Sequence, residues 1–101
     1  MPDKSFIDWL DYGLVIASWR TERGRIVSFV VLFIAEIVGR EHCVARYDTA
    51  HGTPHRDILG LKKGLLEKEW FFGLSSEEVF YNAIRDFQEN GQEHIRFFTA
   101  N

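Results

Sequence analysis

Residues 26–38, IVSFVVLFIAEIV, decide the fold. Seven of these 13 residues are β-branched, which favours a strand because such side chains lose rotamer freedom in a helix. One face of the strand is apolar without interruption, and the opposite face is mostly apolar. The uninterrupted face consists of Val27, Phe29, Val31, Phe33, Ala35 and Ile37. We therefore predict a long central strand that is covered on both sides at least in part.

Turn-forming residues flank this strand and separate further short apolar runs, a pattern that is typical of an antiparallel meander. The runs predict four more strands, at residues 14–19, 41–48, 55–59 and 65–72. The alternation in the third of the five strands places Cys43, Ala45 and Tyr47 on one face. The first 12 residues fit either a helical turn or an edge strand.

A helix start follows the last predicted strand. Ser75 and Glu78 form an S-x-x-E capping box, and apolar residues then recur at spacings of three and four as far as Phe98. Gly91 is a weak point in this helix. The sequence thus predicts a single α+β domain over residues 1–101, a mostly antiparallel meander of about five strands with one C-terminal amphipathic helix packed on one face.

Charge and hydropathy exclude several classes of protein. A net charge of −3 argues against a protein that coats nucleic acid by bulk electrostatics. Residues 40–68 are mildly basic and hold three of the four histidines, so a polyanion should meet this segment. Charged residues near the start argue against a signal peptide, and the 13-residue apolar run is shorter than the roughly 20 residues of a membrane helix. We expect a cytoplasmic protein with no membrane partner.

Residues 46–57, RYDTAHGTPHRD, concentrate the groups that carry chemistry. Two strands flank an irregular loop that contains Gly52 and Pro54. If this loop doubles back, the polar side chains converge at one end of the sheet, where sites tend to lie. The candidates are Arg46, Asp48, His51, His55, Arg56 and Asp57.

Three interpretations fit these residue types. In the first, His51 and His55 act as an acid/base pair in RNA transesterification, which needs no metal or other cofactor, while Arg46 and Arg56 bind the phosphate. In the second, the two histidines and one or both of Asp48 and Asp57 bind a divalent metal. In the third, the motif is a structural corner in which Asp48 caps the loop.

Two features outside this segment receive simpler interpretations. The run Trp70-Phe71-Phe72 is predicted to be the core end of the last strand rather than a platform for base stacking. His94 is predicted to be a surface residue of the helix.

The stretch RYDTAHGTPHRDIL resembles a family of small, uncharacterised prokaryotic proteins with an RYD-x-AHG-x-x-H-x-D signature. The likeness covers roughly residues 25–98. Some of these proteins are encoded as suspected toxins of toxin–antitoxin pairs, so the resemblance implies an RNA target and a small antitoxin protein as partner. The signature falls on Arg46, Tyr47, Asp48, His51, Gly52, His55 and Asp57.

Together these observations predict a small RNA-directed protein, a metal-independent endoribonuclease-like toxin component. His51 and His55 are the predicted catalytic residues and Arg46 and Arg56 the predicted phosphate ligands. The predicted supporting residues are Tyr47, Asp48, Gly52 and Asp57. The alternative is a non-enzymatic protein–protein interaction module, so the residues leave open whether the protein is an enzyme. The second face of the central strand further predicts a homo-oligomer or a partner protein that covers it.

Overall fold

A computed structural model describes residues 4–50 and 52–101 and confirms an α+β fold, with six antiparallel strands in one sheet and one C-terminal helix. The elements are β1 (Lys4–Leu10), β2 (Gly13–Glu22), β3 (Arg25–Ile37), β4 (Arg40–Asp48), β5 (His55–Gly60), β6 (Gly64–Trp70) and α1 (Ser76–Ala100). In this part of the chain, no helix is both long enough and apolar enough to cross a membrane.

The strands pair in chain order, β1 to β6, as the meander predicts. The ambiguous first segment forms an edge strand, which raises the number of strands to six. The turn after β3 is centred on Val38 and Gly39, with φ angles of 50° and 78°. Two consecutive residues with positive φ match the twist of a tight hairpin, and glycine supplies one of them without strain.

Helix α1 packs on one face of the sheet and forms the core with it. The predicted apolar face of β3 is largely confirmed, since Phe29, Val31 and Phe33 are buried. Phe33 stacks on Phe87 of the helix at 5.3 Å between ring centroids. Burying each such side chain contributes about 2 kcal/mol to stability.

One detail of the predicted alternation is wrong. A bulge between Phe33 and Ile34 interrupts the pairing of β3 with β4, so that Phe33 lies opposite Ala45 but Ile34 lies opposite Cys43. Residues that pair across strands share a face, and Cys43 therefore lies on the opposite face from Ala45. Burial raises the pKa of its thiol, which agrees with a reduced, partly buried side chain.

The face of the sheet opposite α1, here the open face, divides into two halves along the strand order. The strands β1–β3 carry its apolar half, which consists of Ile7, Trp9, Leu14, Ile16, Val30, Leu32 and Ile34. The strands β4–β6 carry its polar half, which consists of Arg46, Asp48, His55, Asp57, Lys68 and Trp70. Trp9 is 74% exposed, so no described residue covers this end of the apolar half.

The helix begins at the predicted capping box, in which Ser75 accepts from the Glu78 amide and the Glu78 carboxylate accepts from the Ser75 amide. It is interrupted at Asn90, where φ is −122° and ψ is 15°, next to the predicted weak point at Gly91. The Tyr12 hydroxyl lies 2.8 Å from the carbonyl oxygen of Gln88 and donates to it. Tyr12 can approach so closely because Gly91 has no side chain.

Substituting alanine for Gly91 should destabilise the protein by about 1–3 kcal/mol, the usual range for overpacking. The new Cβ would lie 2.2 Å from Cε2 of Tyr12, which is closer than atoms can pack. Chemical denaturation measures this loss. In a Tyr12→Ala background the same substitution should cost much less, because the clashing ring is absent and only the tight contact of 3.0 Å with Phe33 Cζ remains. An equal loss in both backgrounds would contradict this explanation.

Candidate functional site

The pairing of β4 with β5 decides which residues of the motif meet. Asp48 lies opposite His55, Arg46 opposite Asp57 and Tyr47 opposite Arg56. Since successive residues of a strand point to opposite faces, the first two pairs lie on the open face and the third lies on the helix side.

The sheet therefore separates two residues that were predicted to share one pocket. Arg46 lies on the open face with His55, whereas Arg56 lies on the helix side. The single pocket with both arginines is not formed by the described residues. His51 lies outside these residues, and its catalytic role stays a prediction.

The carboxylate of Asp57 is the centre of a buried ion cluster. Its side chain is only 2% exposed, and it accepts hydrogen bonds from Arg46 Nε at 2.7 Å and from Lys68 Nζ at 2.8 Å. Burial alone would raise the pKa of Asp57, but the hydrogen bonds and charges of Lys68 and Arg46 outweigh it and lower the pKa. Asp57 is therefore ionised at neutral pH and holds both cations in place.

His55 is enclosed by this cluster. Its side chain is 1% exposed, with Nδ1 3.2 Å from the Thr53 carbonyl oxygen and Nε2 3.0 Å from Asp48 Oδ1. The ring of Trp70 covers it, with 4.7 Å between centroids. A substrate would have to displace Trp70 to reach the imidazole, so the catalytic role of His55 also stays a prediction.

The loop after β4 has the contacts of a structural corner. Asp48 Oδ1 accepts a hydrogen bond from the Ala50 amide at 2.9 Å, and Thr49 Oγ1 accepts one from the Phe29 amide at 2.9 Å. Gly52 has a φ of +94°, a conformation that other residues rarely adopt. These features are those of a loop-capping carboxylate and a turn glycine, and the supporting roles of Asp48 and Gly52 in a functional site stay predictions.

Three side chains of the cluster present metal-ligating atoms. One atom each from Asp48, His55 and Asp57 lies within 4.8 Å of the others. However, Arg46 and Lys68 already balance the charge of the two carboxylates. A divalent cation would leave surplus positive charge in a buried place, which is costly. The arrangement thus favours an internal ion cluster over a metal centre.

The outer surface of the polar half has a different chemistry from its interior. Arg46 and Lys68 are each 36% exposed, whereas the Asp57 carboxylate beneath them is sealed. Trp70 and Phe72 are 39% and 77% exposed, and their rings stack at 6.3 Å with 21° between planes. The expectation that this run ends in the core is therefore wrong for both rings. We call Trp70 and Phe72 the aromatic platform.

A groove of about 350 Å³ continues the open face beyond Asp48. Ser18 and Ser28 line it together with Arg20 and Ala50. The side chain of Arg20 is 45% exposed and pairs with Glu22 at 2.8 Å. The groove therefore adds hydroxyl groups and a third cation beside the corner.

Tyr47 and Arg56 belong to a second cluster, on the helix side, around Asp86. The Tyr47 hydroxyl donates to Asp86 Oδ2 at 2.6 Å, and burial and the nearby Asp86 carboxylate raise the pKa of the phenol. Arg56 lies with its guanidinium 6.0 Å from the centre of the Tyr47 ring and its Nε 3.2 Å from Glu69 Oε1. Tyr47 thus supports this cluster, on the opposite face of the sheet from His55.

Sequence reasoning missed His94, which was expected on the surface. Its Nε2 lies 2.8 Å from Asp86 Oδ2, although eight residues of unbroken helix would separate the two by about 12 Å along the axis. The break at Asn90 lies between them and makes the contact possible. The one sequence signal for this pair is the Asn-Gly dipeptide, which marks the break.

The chain belongs to the family described as a domain of unknown function (DUF7718), which matches residues 1–101. Searches of curated proteins and of solved structures found no match.

Replacing Asp57 with alanine should lower the free energy of unfolding by about 3–5 kcal/mol, the usual cost of removing one partner from a buried ion pair. The change leaves Arg46 and Lys68 without their shared acceptor. Urea unfolding followed by tryptophan fluorescence, at one fixed protein concentration, measures the loss.

The matched control is Glu22→Ala. Its pair with Arg20 has the same 2.8 Å separation as Lys68 with Asp57, but both side chains are exposed. Exposed pairs contribute about 0–1 kcal/mol. Equal losses for the two variants would show that burial of Asp57 does not matter.

Proposed function

We propose that this member of the DUF7718 family is a small RNA-directed protein that binds single-stranded RNA on the polar half of its open face. The observation that carries the proposal is the exposed aromatic platform beside two outward-facing cations. Aromatic rings that stack bases and cations that contact phosphates are the two recurring parts of single-strand binding sites.

The buried cluster supports this proposal because it directs positive charge toward solvent. Asp57 lies beneath Arg46 and Lys68 and is sealed from solvent, whereas both cations reach the surface. A phosphate that approaches the open face therefore meets guanidinium and ammonium groups before it meets a carboxylate. Arginine also matches phosphate with two parallel hydrogen bonds.

The aromatic platform supplies contacts that do not depend on base identity. Trp70 rests on His55, and Phe72 stacks on Trp70 at the end of the sheet. Each base stacked on an aromatic ring contributes about 1–3 kcal/mol. The structural corner and the RNA interpretation are thus compatible, since His55 contacts Asp48 of the corner and packs against Trp70 of the platform.

These contacts favour RNA binding over catalysis at the motif. An acid/base pair of His51 and His55 would require an imidazole that reaches the scissile phosphate, and His55 is closed off by Trp70. In a toxin–antitoxin pair, the polar half would contact the RNA target while the apolar half contacted protein.

A short fluorescein-labelled oligouridine should bind the protein, and Phe72→Ala should weaken binding about tenfold through loss of one stacked base. Phe72 is 77% exposed and touches Trp70 rather than the buried cluster, so this variant should fold normally. Fluorescence anisotropy measures the affinity. Lys68→Gln should weaken binding and also reduce its dependence on salt, because a phosphate contact is lost.

Trp9→Ala is the control for this experiment. Trp9 lies on the same face and is 74% exposed, but it belongs to the apolar half. Equal losses for Trp9→Ala and Phe72→Ala, or no binding by the unaltered protein, would refute the proposal.

The apolar half supports the second part of the proposal, self-association through the open face. Ile7 and Trp9 are exposed, and their cross-strand partners on this face, Ile16 and Leu14, are apolar. Exposed apolar patches of this kind mark interaction surfaces. A two-fold axis would pair the same patch on two copies.

Ile7→Lys, on the edge strand of the apolar half, should shift the protein toward the monomer, because burying a charge in an apolar interface is unfavourable. Size-exclusion chromatography with light scattering at micromolar concentration gives the mass. Lys4→Glu, at the end of the same strand, changes a charge outside the patch and should leave the mass unaltered. A monomeric unaltered protein would exclude a homo-oligomer.

A further inference from the structure

A cleft of about 520 Å³ lies on the helix side, between α1 and the strands β4 and β5. Its volume falls in the range of small-ligand sites, which combine apolar walls with a few convergent polar groups. The apolar part consists of Val44, Ala45, Ile58, Leu59 and Phe97. The polar residues that line the cleft are Arg56, Asp57, Asp86, Asn90, Glu93 and His94.

Asp86 and His94 form an oriented pair in this cleft. Burial alone would raise the pKa of Asp86, but hydrogen bonds from His94, Tyr47 and Asn90 outweigh it and lower the pKa to about 2. An ionised carboxylate only accepts hydrogen bonds, so the contact at 2.8 Å requires His94 Nε2 to be the donor. The lone pair of the neutral ring then lies on Nδ1. A carboxylate that fixes an imidazole in one tautomer is the arrangement of a general base.

Arg56 brings a cation to the same cleft. Its Nε is buried and makes no hydrogen bond with any residue of the described chain, although it lies 3.2 Å from Glu69 Oε1. Arg56 Nη1 lies 4.0 Å from Asp86 Oδ2. The guanidinium is thus close to the His94 pair. Because the Arg56 side chain is 24% exposed while Nε is buried, a phosphate would bind through the terminal nitrogens.

We propose that the helix-side cleft is a catalytic site for phosphodiesters that carry an adjacent hydroxyl, with His94 as general base and Arg56 as phosphate ligand. His94 Nδ1 removes the 2′-hydroxyl proton, the 2′ oxygen bonds to phosphorus, and the bond from phosphorus to the leaving oxygen breaks. The products are a 2′,3′-cyclic phosphate and a leaving alkoxide that takes a proton from water, and His94 then returns its proton to solvent. RNA as the natural substrate rests on the proposed function; the chemistry of the cleft does not.

The test uses uridine 3′-(4-nitrophenyl phosphate) and the full chain. Nitrophenolate leaves without a proton, so the reaction needs only the base and the phosphate ligand, and a single nucleoside does not require the aromatic platform. The unaltered protein should release nitrophenolate, and His94→Gln should lower kcat/KM by about 100-fold or more, the usual contribution of a general base. Arg56→Gln should also lower kcat/KM.

Two further variants separate catalysis from folding. His94→Ala should regain part of its activity when imidazole is added to the buffer, which a purely structural residue would not do. His42→Gln is the control, because His42 packs against Phe98 with the two rings tilted and does not line the cleft, and it should keep full activity. Release no faster than in buffer, full activity of His94→Gln, or no rescue by imidazole would each overturn the assignment. Fluorescence anisotropy measures RNA binding by the aromatic platform in a separate experiment. Each of the two proposals can therefore fail while the other holds.

Discussion

The buried carboxylate of Asp57 is the interaction on which the open face depends. It holds Arg46 of β4 and Lys68 of β6 from the strand between them, so one charge connects three neighbouring strands. Because the carboxylate is sealed, its attraction for the two cations is screened less by solvent than that of an exposed ion pair. The surface of the polar half, including the cover over His55, is built on this cluster.

Most of the fold could be predicted because its signals are local. The β-branched run of β3, the glycine turns and the capping box of Ser75 with Glu78 each act within a few residues. The edge strand β1 was ambiguous because only its pairing with β2 distinguishes it from a helical turn. The bulge opposite Cys43 had no local signal, and it reversed the face of that residue.

The candidate site could be predicted in composition but not in grouping. Residues 55, 56 and 57 are adjacent in sequence, yet alternation along β5 sends His55 and Asp57 to the open face and Arg56 to the helix side. Because these residues are adjacent in sequence, the prediction placed more polar side chains together than the structure does. The opposite error concerned His94, whose partner is eight residues away and reaches it only because the helix breaks at Asn90.

The hairpin of β4 and β5 presents chemically different side chains on the two faces of the sheet. On the open face, the carboxylates are covered and the cations reach outward, an arrangement that suits binding of a phosphate backbone without reaction. On the helix side, the carboxylate of Asp86 orients an imidazole beside a guanidinium, an arrangement that suits proton transfer. Every residue of β6 is exposed, so the edge of the sheet between the two surfaces is open to solvent. The proposed separation of binding from chemistry rests on the two-residue period of a strand, which gives each face of one hairpin its own set of side chains.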